Sequence, residues 1–193
     1  MIFDMIKNGP ILFIGCHPDD IEIGCGGLLN RIKDNKKIFT LTLSKNQKNP
    51  NHKNLIKEHR KSLNSLGIKN DKIILGNFTT REFNKERQEI CDFLLKIKNE
   101  IKPSTIFTVP FDLHQDHQIG NMETQRIFRE QTILEYEIPR STSYKKPEVF
   151  VKLSKKDINK KINALKKYKT YKNKNYFKAE NIEASAISHG IKM

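Results

Sequence analysis

The sequence contains no tryptophan, and aromatic residues make up only 8% of it. Cysteine is scarce: Cys16, Cys25 and Cys91 are an odd number without CxxC spacing. That is the pattern of reduced thiols in a cytoplasmic protein, not of a disulfide framework. No stretch approaches the roughly 18 consecutive apolar residues of a membrane span. The N-terminus, MIFDMIKNGP, lacks a basic segment followed by a long apolar one, so no secretory signal is expected. There is no internal repeat, and no linker sets off a second domain.

What remains is a 193-residue chain, enough for one ordinary α/β domain. Apolar residues make up 36% and charged residues 30%, with a net charge of +14. Dense apolar runs at Ile11–Ile14, Ile38–Leu43, Ile73–Leu75 and Thr105–Val109 argue against disorder. The charge is uneven. Residues 145–193 hold 14 lysines, no arginine and four acids, a net of +10. The rest of the chain is near neutral at +4. A basic quarter suits anionic partners or a plain solvated face. No recognised nucleic-acid motif accompanies it, so no specific nucleic-acid partner is expected.

The short runs read as strands buried on both faces. They cover Ile11–Ile14, Lys37–Ser44, Lys72–Leu75 and Thr105–Val109. Helices are expected from the Gly24–Gly27 run to about Asp34, over Asn54–Leu66, over Arg81–Ile101, and from His117 to about Arg129. Strands alternating with helices imply βαβ units and a parallel sheet. Beyond, Ile133–Ile138 and Glu148–Leu153 resemble strands. A capping-box-like Ser154-Lys155-Lys156-Asp157 opens a helix to about Tyr168, and residues 169–193 show little periodicity.

Two histidine–acid clusters stand out. His17-Pro18-Asp19-Asp20-Ile21-Glu22 follows the first strand, and Asp112-Leu113-His114-Gln115-Asp116-His117 follows the fourth. Ligand crevices of open α/β sheets form at these carboxyl ends. Imidazole and carboxylate ligands suit zinc, and a catalytic zinc keeps three protein ligands and a water. Surplus groups could supply a general base and an oxyanion stabiliser. Alone, Asp19-Asp20 would equally suit a helix N-cap, and the second cluster a solvated loop. Their shared position at two strand ends favours the metal site. Cys16 is expected to be buried and Glu22 to brace the loop. Gly24-Cys25-Gly26-Gly27 is not a dinucleotide fingerprint.

These motifs resemble the PIG-L/LmbE family of metal-dependent N-deacetylases, over nearly the whole chain. Glu58 ahead of Gly67, the Arg81–Arg87 segment, Pro103 and Tyr136-Glu137 fall in the family's order. The resemblance implies a Rossmann-like three-layer α/β sandwich with a mostly parallel sheet. It implies that His17, Asp20 and His117 bind zinc, with Fe2+ as another option. Asp19 would be the general base, His114 would face the tetrahedral intermediate as oxyanion stabiliser and candidate general acid, and Asp116 would orient His114 or tune its charge. Arg81 and Asp112 are candidate sugar contacts, each equally readable as a surface salt bridge. The implied substrate is a small N-acetylglucosamine-type conjugate, and a homo-oligomer is an option. The sequence departs from the family at Leu55, where many relatives carry Arg, and at Thr170-Tyr171, where many carry Ser-Gln. It ends at Met193, so the family's usual last segment is expected to be lacking. The alternatives are hydrolysis of another amide or ester, and an impaired member that binds sugars or polyanions.

Overall fold

A computed structural model describes residues 6, 9–35, 37–139 and 147–191. Five strands form one sheet: β1 (Ile11–Gly15), β2 (Ile38–Thr42), β3 (Ile73–Leu75), β4 (Thr105–Thr108) and β5 (Thr132–Glu135). Their spatial order is β3-β2-β1-β4-β5, and every neighbouring pair is parallel. Parallel strands need helical crossovers, which cover the sheet on both faces. Hence β1 is buried at every residue. Phe13 on β1 lies in register with Phe107 on β4, and their rings stack at 4.6 Å.

The helices are α1 (Asp20–Ile32), α2 (Leu55–Ser65), α3 (Arg87–Ile101), α4 (Gln115–Ile127), α5 (Lys155–Leu165) and α6 (Ala179–Gly190). In the crossover layers, α5 packs on α1 and α2, while α3 packs on α4. The expected capping box at Ser154 and Asp157 is formed in both directions. Among the described residues no helix is long and apolar enough to cross a membrane.

Several boundaries differ from the sequence reading, each for a physical reason. Helix α1 begins at Asp20, ahead of the glycine run. Its glycines are therefore interior, where they cost helix stability. They serve packing: a Cβ at Gly24 would collide with the Tyr136 ring, and one at Gly27 with Leu153. Glu148–Leu153 is not a strand. Leu153 packs over Gly27 of α1 instead of extending the sheet, and Arg31 donates to the Lys152 carbonyl. Helix α3 begins at Arg87, not Arg81. The preceding turn is held by the Glu86 carboxylate, which accepts from the Thr79 amide and hydroxyl. Residues 179–190, unassigned from sequence, form α6.

Tyr136 follows β5, crosses the open face of Gly24 and donates its hydroxyl to the Ile14 carbonyl at 2.8 Å. Helix propensity alone would make Gly24→Ala stabilising by about 1 kcal/mol. The Tyr136 contact reverses the sign, so the substitution is expected to destabilise by roughly 1–3 kcal/mol. Urea unfolding of the two proteins checks it, and a stabilised variant would refute this packing.

Candidate metal and catalytic site

Strands β1 and β4 are neighbours, and the chain crosses over in opposite directions from them. The crevice at such a switch point lies beyond their carboxyl ends. Both histidine–acid clusters emerge there. The first turns sharply after Gly15. The amides of Cys16 and His17 donate to one Asp20 oxygen at 2.9 and 2.8 Å. This folds the head of α1 back over the strand end. Asp19, between strand and helix, adopts φ 116° in the left-handed region, costly for any residue with a Cβ.

The Asp20 oxygen that accepts these amides lies 3.7 Å from His17 Nδ1 and 3.5 Å from His117 Nε2. The far nitrogen of each imidazole is held by another carboxylate. His17 Nε2 meets Asp116 at 2.8 Å, and His117 Nδ1 meets Asp112 at 2.8 Å. A carboxylate behind an imidazole fixes its tautomer and aims its other lone pair. Two aimed nitrogens thus converge beside one carboxylate oxygen. Ligand atoms of a tetrahedral zinc with bonds near 2.0 Å lie about 3.3 Å apart, close to the spacing here. The chemistry of the donor set fits as well. Asp20, Asp112 and Asp116 are all buried beside the two imidazoles, a concentration of carboxylates that suits a cation.

His114 is the N-cap of α4, and its Nδ1 accepts the Asp116 amide at 3.2 Å. That leaves the proton of the neutral ring on Nε2. The ring stacks on His117 with centroids 4.5 Å apart and lies 4.8 Å from His17. One nitrogen each of His17, His114 and His117 lies within 4.8 Å of the others. His17 and His117 flank Asp20, while the protonated Nε2 of His114 stands beside them as a hydrogen-bond donor.

Electrostatics separates these groups. Burial works against a charged Asp20, yet His117 and His17 hold it below the usual carboxylate range. Burial, and then the nearby Asp20 charge, push Asp19 well above that range. Burial lowers the proton affinity of His117, but Asp20 and Asp112 outweigh it and raise its pKa to about 10. His114 drops to about 4 through burial and its neighbours His17 and His117.

The structure places the sequence candidates unevenly. His17, Asp19, Asp20, His114, Asp116 and His117 gather at one point. Asp112 does not present a surface: it is buried, one oxygen on His117 and the other accepting the His114 amide at 2.7 Å. Arg81 contributes its backbone, at φ 70°; its amide donates to Asp116 at 2.8 Å while its side chain is exposed. Asp116 thus has two parts to play: its carboxylate holds His17, and its amide orients His114. Cys16 is buried as expected, its thiol on the Asp116 carbonyl.

Two features escaped the sequence reading. Glu22 is wholly buried and accepts from the Tyr168 hydroxyl at 2.6 Å, with His59 Nδ1 at 3.1 Å. His59 Nε2 in turn meets the Thr42 hydroxyl at 3.0 Å. Lys174 places its ammonium 3.7 Å from Asp19 and over the Tyr171 ring. His59 and Tyr168 carry no local signal, since their shared partner Glu22 lies 37 and 146 residues away from them. Lys174 is hidden among the other lysines of its segment.

Residues 12–128 match the family described as PIG-L: GlcNAc-PI de-N-acetylase. An Escherichia coli K12 protein named as the uncharacterized deacetylase YaiS is 32% identical over 174 residues, 85% of this chain and 92% of that one. Among solved structures, N,N'-diacetylchitobiose deacetylase from Pyrococcus horikoshii has a TM-score of 0.78 at 19% identity, covering 98% of this chain and 81% of the other. A conserved protein of Thermus thermophilus has a TM-score of 0.74 at 20% identity, over 95% and 89%. The fold is shared with these structures, and the match through both strand-end motifs makes the chain a member of the PIG-L family of de-N-acetylases.

Proposed function

We propose that this protein is a zinc-dependent N-deacetylase that removes the acetyl group from an N-acetylglucosamine-type amino sugar or its conjugate. The observation that carries this reading is the Asp20 carboxylate between two carboxylate-backed imidazoles, with Asp19 beside it. His17, Asp20 and His117 are the proposed ligands; Asp116 and Asp112 orient the two imidazoles. A zinc ion held there would supply Lewis acidity, acidifying a water and polarising an acetamide carbonyl. Fe2+ suits the same donors.

The remaining work belongs to the side chains. Asp19 takes the proton of the attacking water, and its raised proton affinity favours accepting it. Lys174 beside it limits how far that affinity rises. As the carbonyl carbon becomes tetrahedral, negative charge develops on its oxygen. The Nε2 proton of neutral His114 can donate to that oxygen, because Nδ1 is committed to the Asp116 amide. The C–N bond then breaks, and the proton held by Asp19 passes to the leaving nitrogen. The products are acetate and a free amine.

Acetate release from N-acetylglucosamine and N,N'-diacetylchitobiose, assayed with metal content, tests the reading; no release from a broad panel of acetylated amino sugars would overturn it. Asp19→Asn is expected to keep its metal and lose kcat by about a hundred- to ten-thousand-fold. Asp112→Asn should instead weaken metal affinity by about ten- to a hundredfold. Competition with a chelating dye reads the second effect, and unchanged affinity would remove Asp112 from its proposed role.

The two shifted histidines also set a pH profile for the metal-free protein. His117 holds its proton to about 10 when folded but to about 6.5 when unfolded. Its contribution to stability is full below about 6.5 and is lost as pH rises toward 10. His114 is shifted the other way, to about 4, so its contribution is full above about 6.5 and is lost as pH falls toward 4. The melting temperature of chelator-treated protein is expected to peak near neutral pH. His117→Gln should flatten the alkaline limb; an identical limb in that variant would contradict the assignment.

A further inference from the structure

A concave feature elsewhere involves none of the proposed metal or catalytic residues. It is a groove of about 800 Å³ between α2 and α5, lined by six lysines: Lys57, Lys61, Lys160, Lys166, Lys167 and Lys169. We propose that this groove binds a small anion carrying clustered phosphate groups.

The lysines come from two elements. Lys57 and Lys61 stand four residues apart on α2. Lys160 lies on α5, and the other three follow it. Like charges at that helical spacing repel. Among the described residues, none of the six forms an ion pair, although lysines elsewhere do. On α3, Lys96 pairs with Glu100, and across the surface Lys155 pairs with Glu183. The groove's single carboxylate, Glu58, is turned inward and accepts the Thr170 amide on both oxygens, at 3.1 and 3.3 Å. Six ammonium groups thus share one concavity with a single carboxylate, itself engaged by a backbone amide.

Shape and composition select the ligand. A groove of this volume suits a small molecule. Flat bilayers and long duplexes reward extended basic surfaces. No aromatic ring lines it, so it offers no platform for stacked bases. Ammonium groups bind phosphate oxygens as point charges, while Asn54, Asn163 and Ser65 add hydrogen-bonding groups at the walls.

The test uses inorganic tripolyphosphate and isothermal titration calorimetry on the full chain. Stoichiometric binding that weakens as salt is added is expected. The triple variant Lys61→Gln, Lys160→Gln, Lys167→Gln should bind about tenfold more weakly or worse. A control with the same loss of charge elsewhere, Lys48→Gln, Lys85→Gln, Lys96→Gln, should bind like the parent. Melting temperatures of both variants verify folding. Equal weakening in both variants, or no binding by the parent, would overturn the proposal. So would tighter binding of a short DNA duplex or phosphatidylserine vesicles through the same three lysines, since the partner would then be a polymer or a membrane. None of these outcomes depends on deacetylation, so the groove and the catalytic reading stand or fall separately.

Discussion

One carboxylate oxygen organises this molecule's working end. The Asp20 oxygen accepts two amides at the close of β1 and faces the inner nitrogens of His17 and His117. The amides fix where the oxygen sits, and the imidazoles keep it ionised despite burial. Loss of either set would leave a buried charge unsatisfied. The reversed turn at Asp19, the direction of α1 and the separation of the histidines are all consistent with keeping that oxygen in place. Proton affinities diverge accordingly: Asp20 is held ionised, Asp19 is pushed toward protonation, and His117 and His114 shift in opposite senses. Groups of one chemical type thus acquire different proton affinities through environment alone.

Much of the fold was legible because buried parallel strands leave continuous apolar runs. Ile11–Gly15 and Thr105–Thr108 could be read almost to their ends. The candidate site residues could be picked out together because they cluster in sequence directly after those strands. Legibility failed where one residue answers to a distant partner. The glycines of α1 read as a helix start, but Tyr136 and Leu153 require them inside the helix. Glu148–Leu153 has the composition of a strand, yet Leu153 packs over Gly27 of α1 and the segment joins no strand. Asp112 read equally as a sugar contact or a surface salt bridge, because nothing local shows that it lies buried behind His117.

The C-terminal segment carries two chemistries at once. Tyr168 reaches the buried Glu22–His59 pair, and Lys174 reaches Asp19. Between and before them, the outward lysines line the α2–α5 groove. The basic character of the segment therefore has no single meaning. One ammonium group approaches a buried acid, while others face an open concavity without carboxylate partners.

His17 and Asp116 hydrogen-bond across 99 residues of chain. No hairpin or single βαβ unit contains the site; it exists only when β1 and β4 lie side by side. Closing so long a loop is slow and entropically costly, so local structure cannot assemble the centre in advance. An ion that binds the assembled centre better than the open chain would therefore act as a clasp between the two halves of the sheet. Occupancy would then track completion of the whole fold, and an incompletely folded chain would have little hold on the metal.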